Sequence, residues 1–134
     1  MAPLPSDTLP DPAVSETDPA AFWRAIERIV NDSELVIDRP AGSHHPKYHH
    51  VVYPLDYGYL ADTSSMDGGG IDVWRGRSGS LEPVAIACTV DLLKKDSEIK
   101  ILLGCTPQEV ETVLRFHNSS KYMKAVAVVR PGTE

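Results

Sequence analysis

The most restrictive feature of this 134-residue sequence is the spacing of its turn-forming residues. From Glu34 onward, short apolar segments alternate with turns rich in Gly, Pro and Asp. Segments of this length that contain many β-branched and aromatic residues favour strands over helices. The predicted strands cover residues 34–39, 50–53, 57–61, 71–75, 83–92, 98–103 and 123–130.

Two segments depart from this strand pattern and predict helices. Asp18 and Pro19 have the form of an N-cap and a first helical position, and apolar residues follow at helical spacing over 19–31. The segment Thr106-Pro107-Gln108-Glu109 has the form of a capping box and predicts a second helix over 107–117. We expect His117, at the end of that helix, to be a cap or a partly buried core residue.

Together these elements predict a mainly β fold of the α+β class. We expect a small OB-like β-barrel over 34–130, with an N-terminal and a C-terminal helix packed on it, and a flat sandwich is the alternative. The length fits a single domain over 18–134. Residues 1–17 carry four prolines among Ser, Thr and Asp, which predicts a disordered leader.

Charge and cysteine content exclude several classes of protein. The net charge is -6, with 19 acidic against 13 basic residues, which argues against a nucleic-acid or anionic-membrane binder. No apolar run approaches the ~18 residues of a membrane helix, and the first eight residues lack a secretory signal. Cys88 and Cys105 are too few for a disulfide framework. We therefore expect reduced, buried cysteines in a cytoplasmic protein.

Two neighbouring segments contain candidate functional residues. The first is Tyr53-Pro-Leu-Asp-Tyr57-Gly-Tyr59. If the first segment is extended, its three tyrosines share one face. In the second, Asp67-Gly-Gly-Gly-Ile-Asp72-Val73, the glycines allow a close backbone approach to a ligand, and the aspartates supply oxygens that suit Mg²⁺. Taken alone, the second segment also fits a Gly-rich hairpin with solvated aspartates.

Other carboxylates lie at the ends of predicted strands or on adjoining loops. Gathered at one end of a barrel, these groups would repel one another unless cations lay between them. The pattern therefore predicts a site for several Mg²⁺ ions if the fold brings the strand ends together. The five acids are Asp38, Asp67, Asp72, Asp91 and Asp96.

These segments resemble the soluble family I inorganic pyrophosphatases, whose signature D-x-D-P-x-D-V follows a Y-P-x-N-Y-G-Y segment. The resemblance runs from Glu34 to Gly104, more weakly to Arg130, and is closest to a short bacterial-type branch. It implies a cytoplasmic, homo-oligomeric hydrolase that splits inorganic diphosphate with a metal-bridged hydroxide, using Mg²⁺ or Mn²⁺. By resemblance, Asp67, Asp72 and Asp96 would hold the first metals and Asp38 and Asp91 the later ones, while Lys47, Tyr53 and Tyr57 would contact phosphate.

The sequence also departs from the family pattern at the expected site. Gly69 replaces the middle Asp of the signature, Leu92 replaces an acid, Glu98 replaces a Lys, and a hairpin is missing between His50 and Tyr53. Two further interpretations therefore stay open. One is a related metal-dependent phosphohydrolase or lyase that acts on an organic phosphate or diphosphate. The other is a non-catalytic binding module with the same fold.

Several residues could compensate for these losses. His49 stands where the family has a Glu, and it could act as a base or contact phosphate near neutral pH. The run from His44 to His50 lacks a recognised zinc spacing, so a mixed surface and site segment is favoured over a zinc site. The cations close to the candidate ligand positions are Arg39, Lys94, Lys95 and Lys100.

Overall fold

The computed structural model describes residues 18–66 and 68–132. Within these residues the chain forms a six-stranded mixed sheet and two helices. The elements are α1 (Pro19–Asn31), β1 (Leu35–Arg39), β2 (Asp56–Leu60), β3 (Ile71–Arg75), β4 (Pro83–Asp91), β5 (Asp96–Leu103), α2 (Pro107–Asn118) and β6 (Met123–Val129). The predicted leader, residues 1–17, lies outside the described residues.

Both helices begin where their capping residues predict. The Asp18 carboxylate accepts a hydrogen bond from the backbone of Ala20 at 3.0 Å. At α2 the capping box is reciprocal, because the Thr106 hydroxyl accepts from the Glu109 backbone at 3.1 Å and the Glu109 carboxylate accepts from the Thr106 backbone at 2.9 Å. Neither helix of the described chain has the length and apolar character needed to cross a membrane.

The strand order across the sheet is β1-β2-β3-β5-β4-β6. Neighbouring strands are antiparallel except for β3 and β5, which are parallel. Within the described ranges no ladder joins the edge strands β1 and β6, so the sheet is open and the predicted barrel is not confirmed. The mainly β, α+β class is confirmed.

The strand predicted over residues 50–53 is wrong. In the described structure this segment makes a single isolated bridge, between Val52 and His44. The backbone of Tyr53 is already used, because it donates to Ser43 and accepts from Gly42 at 2.9 and 2.8 Å. These bonds fold residues 42–53 back on themselves, so the segment has no neighbouring strand to pair with.

Each face of the sheet packs against one helix. On the face that we call the α2 face, Trp74 and Leu102 pack with Val110 and Val113 of α2. On the opposite face, Val73 and Ile101 lie in one core cluster with Val30 of α1. Because neighbouring residues of a strand point to opposite faces, the residues next to Val73 and Ile101 also belong to the α2 face. Asp72 and Lys100 are among them.

The two cysteines are unpaired, and only one is fully in the core. Cys105 is buried in the cluster under α2, whereas Cys88 is half-buried. Burial raises the pKa of the Cys105 thiol to about 12, so it stays protonated at neutral pH. The expectation of two buried cysteines therefore holds for Cys105 alone.

His117 is a buried core residue on the α2 face. Its Nε2 accepts a hydrogen bond from the Trp74 indole N–H at 3.1 Å, so this nitrogen carries no proton. Burial, together with the charge of Lys100, lowers the pKa of His117 to about 4. Of the two roles expected for His117, the structure shows the core one.

The buried neutral state of His117 predicts a specific loss of stability in acid. The unfolded chain binds a proton near pH 6.5, but the folded chain does so only near pH 4, so stability falls as the pH drops through this window. We expect this group to cost about 2 kcal/mol between pH 7 and pH 5. Urea unfolding of the wild type and His117→Gln at both pH values measures it. The variant should lose less stability, and equal losses would contradict the assignment.

Candidate functional site

Residues of three strands, β2, β3 and β5, meet on the α2 face. Tyr57 of β2 lies opposite Trp74 of β3, and Tyr59 lies opposite Asp72. In the parallel β3–β5 pair, Trp74 is matched with Leu102, which places Lys100 beside Asp72. This register gathers a phenol, a carboxylate and an ammonium at one point of the sheet.

The centre of this group is the ammonium of Lys100. Its Nζ donates to Tyr57 Oη at 3.0 Å, to Asp72 Oδ2 at 2.8 Å and to Glu98 Oε1 at 2.7 Å. The Tyr57 hydroxyl donates its own proton to Asp72 Oδ2 at 2.8 Å. Since an ammonium has three N–H groups, every donor of Lys100 is used. We call these four residues the Lys100 cluster.

Burial and charge set the protonation states of the cluster. The Lys100 side chain is 4% exposed. Burial disfavours its charged form, but the Tyr57 hydroxyl and the carboxylates of Asp72 and Glu98 outweigh this effect and raise the pKa of Lys100. Burial also raises the pKa of Tyr57. At neutral pH the cluster therefore contains an ammonium and a protonated phenol.

One atom of the cluster is left without a partner. Glu98 Oε2 is buried and accepts no hydrogen bond from the described residues, whereas Oε1 of the same carboxylate is held by Lys100. A buried carboxylate oxygen without a donor is unfavourable. The cluster can therefore accept one further hydrogen-bond donor at this oxygen.

Tyr53 lies next to the cluster and is held by a second cation. Arg39 Nη1 donates to the Tyr53 hydroxyl at 2.6 Å. The Tyr53 ring stacks on the Tyr57 ring with 5.4 Å between ring centroids, and on the His45 ring with 6.4 Å between centroids. Burial, followed by the charge of Arg39, lowers the pKa of His45. Two of the predicted phosphate contacts, Tyr53 and Tyr57, are thus adjacent, and both hydroxyls are already bonded.

The other two predicted catalytic residues lie elsewhere, in the exposed loop between β1 and β2. Lys47 places its ammonium 5.4 Å from the centre of the Tyr48 ring. His49 Nε2 lies 3.0 Å from the carbonyl oxygen of Pro46. In the described part of the chain neither residue makes a hydrogen bond to the Lys100 cluster.

The remaining predicted acids are spread over the strand ends. Asp91 and Asp96 face each other across the β4–β5 turn, and Asp91 Oδ1 accepts backbone hydrogen bonds from Leu93 and Lys94. A cavity of about 560 Å³ is lined by both acids and by Met66, the residue before Asp67. Asp67 itself lies outside the described residues. Asp38 is exposed at the irregularity in β1.

The predicted magnesium ligands that the structure describes do not gather in one group of three or more. Mg²⁺ prefers an octahedral set of oxygen ligands. Within residues 18–66 and 68–132, no group of three or more His, Cys, Asp or Glu side chains is placed to hold a metal ion. Asp72, one of the three acids expected to hold the first metals, is paired with Lys100.

The pairing of Glu98 with Lys100 was missed in the sequence, where Glu98 counted only as the loss of a lysine. A usable signal was present, because Asp96, Glu98 and Lys100 alternate along a strand and must share a face. A second missed pair joins Arg75 and Asp56 at 2.9 Å. A backbone hydrogen bond from Ala41, with help from Arg75, lowers the pKa of Asp56.

Comparison with known proteins gives similarity in structure alone. No protein-family model and no curated protein matches the chain. A crystal structure described as an inorganic phosphatase from Anaplasma phagocytophilum has a TM-score of 0.51 at 16% identity, over 71% of this chain and 81% of the other. An inorganic pyrophosphatase from Coxiella burnetii has a TM-score of 0.48 at 14% identity, over 68% and 81%.

The chain has a fold similar to that of the structure described as an inorganic phosphatase. At 16% identity the similarity establishes shared architecture and carries no information on activity. The function therefore has to be argued from the residues of the site.

A double-mutant cycle tests whether the Lys100 cluster contributes to stability. We expect Lys100→Met and Asp72→Asn to show a coupling energy of about 1–3 kcal/mol in urea unfolding, because the pair is buried and hydrogen-bonded. The exposed pair of Arg28 and Asp32 is the matched control. Its cycle, made with alanines, should give below about 0.5 kcal/mol. Equal coupling in the two cycles would show that the buried pair is not formed.

Proposed function

We propose that the protein is a diphosphatase that hydrolyses inorganic diphosphate to two phosphates and requires Mg²⁺. The observation that supports this most is the meeting of Tyr57, Asp72 and Lys100, contributed by three separate segments, on one face of a pyrophosphatase-like sheet. Tyr57 and Asp72 come from the two segments that carry the motif resemblance.

In this proposal the chain supplies fixed charges and donors around the substrate. The ring of Tyr53 stacks on Tyr57 of the Lys100 cluster, and both hydroxyls face the substrate in this proposal. Lys47 and His49 reach the phosphates from the loop between β1 and β2. Phosphoryl transfer depends mainly on such positioning and on stabilising the charge of the phosphoryl oxygens.

The proposed metal ligands are the acids that are not paired with Lys100. These are Asp91 and Asp96 at the β4–β5 turn, Asp38 in β1, and Asp67, which lies outside the described residues. Bound Mg²⁺ would offset the charge of these acids and allow a polyanionic substrate to approach them. A homo-oligomeric state remains a prediction that follows from the resemblance, and a cytoplasmic location remains one that follows from the cysteine content.

A second candidate is an organic phosphate or diphosphate as substrate. A cavity of about 650 Å³ is lined mainly by apolar residues, among them Ile26, Ile71, Ile99 and Val126. It shares Met66 with the cavity that contains Asp91 and Asp96. An organic group could therefore lie next to the acids that would receive a metal-bound phosphate.

Phosphate release separates these candidates. We expect purified protein with Mg²⁺ to hydrolyse inorganic diphosphate, and chelator to abolish the reaction. A panel of nucleotide and prenyl diphosphates is assayed in parallel. Turnover of an organic member without turnover of inorganic diphosphate would favour the second candidate. If no substrate is hydrolysed and calorimetry detects no Mg²⁺ binding, the interpretation as a non-catalytic binding module would remain.

Two single-residue variants test whether the activity depends on the α2 face. Asp72→Asn should lower the rate at least about 100-fold, because it removes the charge that holds both Tyr57 and Lys100. Asp32→Asn is the control, since it makes the same change on an exposed carboxylate at the end of α1. Circular dichroism checks that both variants are folded. Normal activity in Asp72→Asn would remove this face from the proposal.

A further inference from the structure

The motif resemblance implies that Asp72 would hold a metal ion, but in the structure the ammonium of Lys100 lies against this carboxylate. Lys100 Nζ is 2.8 Å from the carboxylate of Asp72 and 2.7 Å from that of Glu98. An Mg²⁺ ion binds its oxygen ligands at about 2.1 Å. An ion that bridged these two carboxylates would therefore occupy the space that the ammonium fills.

We propose that the Lys100 ammonium is a built-in cation that takes the place of a metal ion between Asp72 and Glu98. Its three N–H groups are all bonded to oxygens, so it satisfies the acids in the way that a bound cation would. Unlike a bound ion, it is covalently part of β5 and cannot dissociate. Asp72 is then a positioning residue for Lys100 and Tyr57 and is not a metal ligand.

The charges of the cluster support this assignment. Two adjacent carboxylates without a cation would repel each other, and one of them would be driven to take up a proton. Lys100 offsets this repulsion from a side chain that is 4% exposed, while the side chains of Asp72 and Glu98 are 24% and 12% exposed. Because they are largely buried, the carboxylates of Asp72 and Glu98 need a cation beside them in every folded molecule.

The inference does not depend on the identity of the substrate. It limits any Mg²⁺ to acids outside the cluster, and it predicts that Asp72 can be changed without affecting the metal. We expect calorimetric titration with Mg²⁺ to give the same result, within about two-fold in affinity, for the wild type and for Asp72→Asn. This measurement uses neither diphosphate nor any turnover.

Removal of the lysine charge provides the converse test. Lys100→Met introduces an apolar side chain of similar length and removes the ammonium. The oxygens of Tyr57, Asp72 and Glu98 then surround a position without a cation, and Glu98 Oε2 already lacks a partner. We expect this variant to bind one more equivalent of Mg²⁺ than the wild type and to melt at a higher temperature when Mg²⁺ is added.

The matched control is the double variant Lys100→Met, Asp72→Asn, which should lose the added equivalent. If Lys100→Met does not fold in buffer alone, recovery of its circular dichroism spectrum on addition of Mg²⁺ reports the same site.

Two results would overturn the inference. One is a decrease of ten-fold or more in the Mg²⁺ affinity of Asp72→Asn relative to the wild type, which would make Asp72 a metal ligand. The other is a Lys100→Met variant that neither binds added Mg²⁺ nor is stabilised or refolded by it. Failure of the diphosphatase assay would leave the Lys100→Met measurement unaffected even if the wild type binds no Mg²⁺, so the two proposals fail separately.

Discussion

The α2 face depends on one buried ammonium and the three oxygens that surround it. Lys100 is the point at which β2, β3 and β5 are tied together by side chains, in addition to their backbone ladders. A lysine this deeply buried is tolerated because every N–H has an acceptor and because two of those acceptors are carboxylates. Without it, Asp72 and Glu98 would lose the cation that both of them contact.

This arrangement changes the meaning of the sequence departures from the pyrophosphatase pattern. Glu98 stands where the family has a lysine, and taken alone this is the loss of a cation. In the structure the cation is restored two residues later on the same face of β5, and Glu98 has become one of its acceptors. The charges of Glu98 and Lys100 are therefore linked, and the departure at Glu98 cannot be interpreted without Lys100.

Local sequence signals predicted the elements well and their arrangement less well. Asp18 and the capping box at Thr106 fixed the helix starts, because a cap is decided by residues within one turn. The strand predicted at 50–53 failed because its backbone bonds go to a loop ten residues earlier. Whether the sheet closes depends on strand order across the whole chain, which no short motif encodes.

The same distinction applies to the site. The tyrosine and aspartate motifs pointed to Tyr57 and Asp72, and these two residues do meet. The clustering of five acids was inferred from strand ends alone, and the described structure places Asp38 apart from Asp91 and Asp96, on an edge strand. The role of Lys100 could not be read from spacing, since it depends on the parallel match of β3 with β5.

That parallel match also has a consequence for how the molecule assembles. Tyr57 and Asp72 are brought together by a local antiparallel pair, which can form early. Lys100 arrives only after the chain has left β3, built β4 and returned, so its contact closes a much longer loop. During folding, Tyr57 and Asp72 can therefore meet before Lys100 reaches them, whereas Glu98 arrives on β5 together with its cation. The hairpin of β4 and β5 completes the charge balance in the same step in which it completes the centre of the sheet.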